Sequence, residues 1–132
     1  MNEGDTLPTV EKTFNQDDVN RYADASGDHN PIHVDPNFAA GSQFGCRIAH
    51  GMMIAASISE MMAQAFGQDW HESGRMKIRF RAPVFPGETV RASGMVRSVR
   101  QIEDATEVAV SVQVTKTNDE AAITGDARVR IE

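Results

Sequence analysis

The spacing of apolar side chains changes once along the chain, from a three- and four-residue repeat to strict alternation. Residues 9–14 carry Val10 and Phe14 and read as a short opening strand. Val19, Tyr22 and Ala23 then form a stripe at helical spacing. Asn15 stands where an N-cap belongs, Asp17 and Asp18 occupy the first turn where the helix dipole favours acids, and Gly27 stops the helix. Asn30-Pro31 disfavours helix at Asn30 and predicts an irregular stretch over 28–35. Asp35-Pro36 predicts another short helix, with Asp35 as cap and Pro36 in its first position. Residues 43–49 read as loop. The longest helix is predicted to begin at His50-Gly51, and over 52–66 nearly every face is apolar or small, which places it inside a core.

Gly67 ends that helix, Trp70 and His71 fall in a polar loop, and alternation takes over. Met76, Ile78 and Phe80 alternate with Lys77, Arg79 and Arg81; Val108, Val110, Val112 and Val114 alternate with Ala109, Ser111 and Gln113. Segments 89–100 and 121–131 complete about four strands, with turns at Pro83, Pro86-Gly87 and Asn118-Asp119. A buried helix followed by antiparallel strands predicts an α+β architecture in which a sheet wraps one central helix. The open edges of so small a sheet predict that two subunits pair.

The chain has 132 residues, enough for one core, and is read as a single domain over 1–132. No apolar run reaches the roughly 18 residues needed to cross a bilayer, and the acidic start, Met1-Asn2-Glu3-Gly4-Asp5, is unlike a secretory signal. The one cysteine, Cys46, has no internal partner. These features predict a soluble, cytoplasmic protein without membrane association. A net charge of −6 argues against nucleic acid as partner. Even so, Arg75, Lys77, Arg79, Arg81, Arg91, Arg97 and Arg100 crowd one stretch, which reads either as a solvated strand face or as a place for a phosphorylated small ligand.

The candidate chemistry lies in Ala25-Ser26-Gly27-Asp28-His29-Asn30-Pro31-Ile32-His33-Val34-Asp35. A carboxylate and an imidazole five residues apart on a bent segment can converge, and the pair suits addition or removal of water, where water is activated and a proton is handled. His50-Gly51 opens the buried helix, whose first N–H groups lack internal partners and carry partial positive charge. Glycine allows close approach there, so a thioester oxygen that turns into an enolate has a donor. His29, His33, Asp35 and His50 are also conceivable metal ligands, but their spacing is not that of a zinc site and no metal is expected. Cys46 has no evident base beside it and reads as an inert thiol. Met52, Met53, Met61 and Met62 are expected to fill core and line an acyl tunnel.

The stretch Ala25–Asp35, followed after a spacer by Ala49-His50-Gly51-Met52, resembles the hydratase 2 motif of MaoC-like (R)-specific enoyl-CoA hydratases, and Phe80-Arg81-Ala82-Pro83-Val84-Phe85-Pro86-Gly87-Glu88-Thr89 is similar to the turn segment of the same family. The resemblance implies a hotdog fold, with an antiparallel sheet wrapped around one long helix and an overhanging segment that carries the active site. It implies reversible hydration of trans-2-enoyl-CoA to (R)-3-hydroxyacyl-CoA, with an acyl-CoA thioester as partner, no cofactor, and a homodimer or higher homo-oligomer. By position, Asp28 and His33 match the catalytic pair, Gly51 the thioester-binding amide, and Asn30 and Ser59 residues behind them. Arg75, Lys77, Arg79 and Arg81 offer a place for the CoA phosphates. The alternatives are a dehydratase acting on another acyl carrier, a hotdog thioesterase, and a non-catalytic acyl-CoA-binding subunit.

Overall fold

The computed structural model describes residues 1–132. The elements run β1 (Val10–Thr13), α1 (Gln16–Ser26), α2 (Pro31–Val34), α3 (Pro36–Ala40), α4 (Gly51–Phe66), α5 (Gln68–Ser73), β2 (Arg75–Phe80), β3 (Thr89–Ile102), β4 (Ala105–Lys116) and β5 (Ala121–Ile131). The five strands form one sheet in the order β1-β3-β4-β5-β2, and every neighbouring pair is antiparallel. A register shift between Val96 and Ser98 interrupts the β3–β4 ladder, and such bulges bend a sheet. The concave face holds α4.

Alternation decides which side chains meet the helix. Val90, Ala92 and Val96 of β3, Val108, Val110, Val112 and Val114 of β4, and Ile123, Ala127 and Val129 of β5 are buried. They pack with Ile54, Ile58, Met61 and Met62 of α4 in one apolar cluster. This is the α+β layer that the change of period predicts. No helix is long and apolar enough to cross a membrane.

Four expectations need correction. The segment after Asp28 is not wholly irregular: Pro31–Val34 is a one-turn helix, because Pro31 takes the first helical position, where its missing N–H costs nothing, and the Asn30 side chain accepts from the Ile32 N–H at 3.1 Å. The stretch holding Trp70 is the helix α5 rather than a loop, and Trp70 is buried in the core. The central helix is not enclosed on all sides: Met52 is 59% exposed, and Ala56 and Gln64 on the same i, i+4 row also face outward. The sheet curls around one side of α4, and no element of this chain covers that row. Met52 therefore fills no core, whereas Met53, Met61 and Met62 do.

Candidate active site

Capping places the reactive groups. Asn15 and Asp18 form a reciprocal capping box at the start of α1: the Asp18 N–H donates to Asn15 Oδ1 at 2.8 Å and the Asn15 N–H to Asp18 Oδ2 at 2.9 Å. That bond, with Arg21 beside it, holds the Asp18 carboxyl below its ordinary range. At the other end Gly27 adopts φ 80°, a left-handed turn that reverses the chain into Asp28. The Asp28 N–H donates to Ser26 Oγ at 3.1 Å, and the Asn30 N–H to Asp28 Oδ1 at 3.3 Å. Asn30 in turn caps α2, and Asp35 caps α3 by accepting from the Asn37 and Phe38 N–H groups at 2.9 and 3.2 Å. His33 rides on α2 between these two caps.

His33 Nδ1 lies 2.8 Å from the Ile48 carbonyl oxygen. A carbonyl only accepts, so Nδ1 carries the proton and the Nε2 lone pair is left available. Asp28, His33 and His50 bring one oxygen or nitrogen each within 4.8 Å of one another. The His33 and His50 rings stack, with centroids 3.8 Å apart and planes 26° apart. His50 Nε2 donates to the Asp28 carbonyl oxygen at 2.9 Å. Near-parallel rings aim their in-plane lone pairs side by side rather than at a common point, so this trio suits a metal ion poorly. The remaining candidate ligands lie elsewhere: His29 faces Asp24 at 3.8 Å, and both acceptor bonds of Asp35 go to α3.

The dyad stands at the junction of two clefts. One, of about 300 Å³, has mostly apolar walls and is lined by His33, Ile54, Phe80, Val84 and Ile123 among others; the second, of about 510 Å³, is lined by Asp28, Tyr22, His50 and Met52. Gly51 and Phe80 line both. Gly51 is the first residue of α4, so its N–H has no intrahelical acceptor. Glycine also leaves room there for the Phe80 ring, since a Cβ would lie 2.7 Å from its Cε1 and the ring would have to move.

Other sequence candidates sit further away. The Ser59 hydroxyl accepts the Trp70 indole N–H at 3.0 Å; this joins α4 to α5 and does not bring Ser59 to the dyad. Arg75, Lys77 and Arg79 point outward along the edge strand β2. Of the four basic residues only Arg81 lines the apolar cleft, its Nε donating to Thr124 Oγ1 at 2.9 Å. Cys46 is exposed. From the sequence His50 reads only as a helix entrance and a conceivable metal ligand. Its contact with Asp28 spans 22 residues, and nothing in local spacing announces it.

The MaoC-like domain model matches residues 2–118 of the chain, which hold the overhang, α4 and four of the five strands. The chain belongs to the MaoC-like family. It is 40% identical over 98 residues to the 3-hydroxyacyl-thioester dehydratase Z of Mycobacterium tuberculosis, which covers 71% of this chain and 65% of that relative's length. It is 31% identical over 122 residues to the (R)-specific enoyl-CoA hydratase of Aeromonas caviae, covering 92% of this chain and 90% of the relative. The solved structure of the (R)-hydratase from A. caviae involved in PHA biosynthesis superposes with a TM-score of 0.86 at 29% identity, over 100% of this chain and 98% of that one. The hotdog fold implied by the motif is thus the fold of this MaoC-like chain.

Proposed function

We propose that this MaoC-like protein is an (R)-specific enoyl-CoA hydratase, adding water reversibly to trans-2-enoyl-CoA to give (R)-3-hydroxyacyl-CoA. One observation carries the reading: a carboxylate, an imidazole with a free Nε2 lone pair and an unpaired helix N-terminal amide meet where an apolar cleft joins a more polar one. Water held between Asp28 and His33 gives up a proton to the dyad as its oxygen bonds to C3. The alkene electrons move toward the thioester, and the Gly51 N–H stabilises the enolate oxygen. A proton returned to C2 completes the addition. Asp28 acts as base and His33 as its partner in proton transfer. Asn30 keeps the dyad in place through its cap on α2. Arg81, at the cleft wall, is the basic residue best placed to meet a CoA phosphate.

A second copy of the chain is the expected partner. Phe80, 56% exposed, and Met52 flank the clefts beside the open edge of β2, and pairing of two such edges covers both side chains. The thioesterase alternative puts its acid on the central helix. Glu60 is the acid in α4, and it pairs with Lys12 at 3.1 Å in a separate groove. The neighbouring dehydratase reading shares this chemistry in reverse and differs in the acyl carrier.

The test is hydration of crotonyl-CoA, followed by loss of enoyl absorbance, in wild type, Asp28→Asn and His33→Gln. Loss of at least roughly a hundredfold in each folded variant is expected. Release of free CoA without hydration, or full activity in both variants, rejects the proposal.

A further inference from the structure

We propose that His50 is a positioning residue that ties Asp28, His33 and the Gly51 amide into one unit, acting as a neutral imidazole with its proton on Nε2. The inference rests on the hydratase reading and adds a residue to it. Three ties converge on this ring. Its Nε2 lies 2.9 Å from the Asp28 carbonyl oxygen, and because a carbonyl cannot donate, the proton between them belongs to His50. Its face lies against His33 at 3.8 Å, and Tyr22 leans on it at 4.8 Å and 54°. Its own carbonyl begins α4, accepting from the Met53 and Ile54 N–H groups at 3.1 and 3.2 Å, with Gly51 next in the chain.

The ring is 2% exposed, and its Nδ1 is buried without a partner. An unpartnered nitrogen is costly in either tautomer, but a proton on Nδ1 would add a buried donor next to the positive end of the α4 dipole and would also set a bare Nε2 against the Asp28 carbonyl oxygen. The unpartnered atom therefore agrees with the tautomer that the Asp28 contact demands. None of the ties uses the Asp28 carboxylate or His33 Nε2; Asp28 Oδ1 accepts from the Asn30 N–H, and Oδ2 and His33 Nε2 are left for water and substrate. His50 acts through the dyad and not on the reacting atoms.

Two variants separate the ties. His50→Gln retains an N–H donor toward Asp28 and loses the ring face; His50→Phe retains a ring face and loses the donor. For crotonyl-CoA, the Phe variant is expected to lose about a hundredfold in kcat with KM little changed, as for a reacting group displaced by about an ångström. The Gln variant is expected to stay within about tenfold of wild type, the worth of the aromatic contact that it gives up. Nitrogen NMR of the wild-type ring is expected to show Nε2 protonated and Nδ1 bare. Wild-type kcat in a folded Phe variant, or a proton found on Nδ1, overturns the proposal. Should both variants unfold, the wild-type spectrum decides in either direction. Failure of wild type to hydrate any enoyl-CoA would reject the hydratase reading instead, and the tether to Asp28 would then stand or fall on the tautomer alone.

Discussion

Two parts of this chain are held together in different ways. The overhang, from α1 through α3, is mostly exposed. Val19, Ala23, His33 and Ala39 are its buried side chains, and its geometry is fixed by hydrogen bonds at Asn15, Asn30 and Asp35. The sheet and α4 are held by apolar contact, with Ile54, Ile58, Met61 and Met62 fully enclosed. The first kind of contact is directional and individually weak; the second is strong and largely indifferent to angle. Asp28 and His33, the proposed reactive pair, sit where direction is controlled, and the stability sits elsewhere. Activity and stability are therefore separable in this protein.

The largest effect that tests this separation is Ile58→Ala. The side chain is buried in α4 and lines neither cleft, so a loss of about 2–5 kcal/mol is expected by denaturant unfolding, while kcat of the folded protein stays near wild type. A large drop in kcat at low denaturant would show that the core and the dyad are coupled. Asn30→Ala should do the reverse. Losing this cap costs about 1 kcal/mol, yet His33 sits on the turn that it starts, and kcat is expected to fall roughly tenfold or more. An Asn30→Ala variant with wild-type kcat would detach the cap from the chemistry.

The smallest effect concerns pH. Hydrogen bonds from Arg100 and then Arg128 hold the Glu107 carboxyl below its ordinary range, and the Asn15 N–H does so for Asp18. The bonded form is the carboxylate, so each contribution is full above the ordinary carboxylate value and fades as pH falls through the lowered folded value. Glu107→Gln and Asp18→Asn should therefore flatten the decline of Tm in acid and leave turnover at neutral pH unchanged. The effect is small, because water screens exposed pairs.

What the sequence revealed follows the same division. Periodic burial is a local pattern, so α4 and the strands are legible to within about three residues, the widest difference being at the start of β4. The caps at Asn15 and Asp35 were legible because side chain and target lie three residues apart or fewer. Asn30-Pro31 is ambiguous in sequence because the same dipeptide that ends one helix can begin another, and here Asn30 caps the turn that Pro31 opens. Trp70 looked like loop because its partner, Ser59, is 11 residues back and its burial depends on the sheet. The exposed row on α4 and the His50–Asp28 contact depend on how distant segments meet, which composition and spacing do not encode. Asp28 and His33 lie within 4.8 Å of each other and Gly51 lines both clefts, whereas Ser59 and three of the four basic residues do not reach them.

The strand order has a consequence for how the protein is made. β2 pairs with β5, so Phe80 on one wall stands beside Ile123, which belongs to a strand made after the helices and after β2, β3 and β4. Asp28 and His33 are synthesised before β5, and the cleft beside them closes only when that strand docks. Loop closure over such separations is slow compared with helix formation. During refolding, helical signal should therefore return before turnover does. Catalytic competence in this chain is a late event, a reporter of complete assembly rather than of the segment that carries the reactive groups.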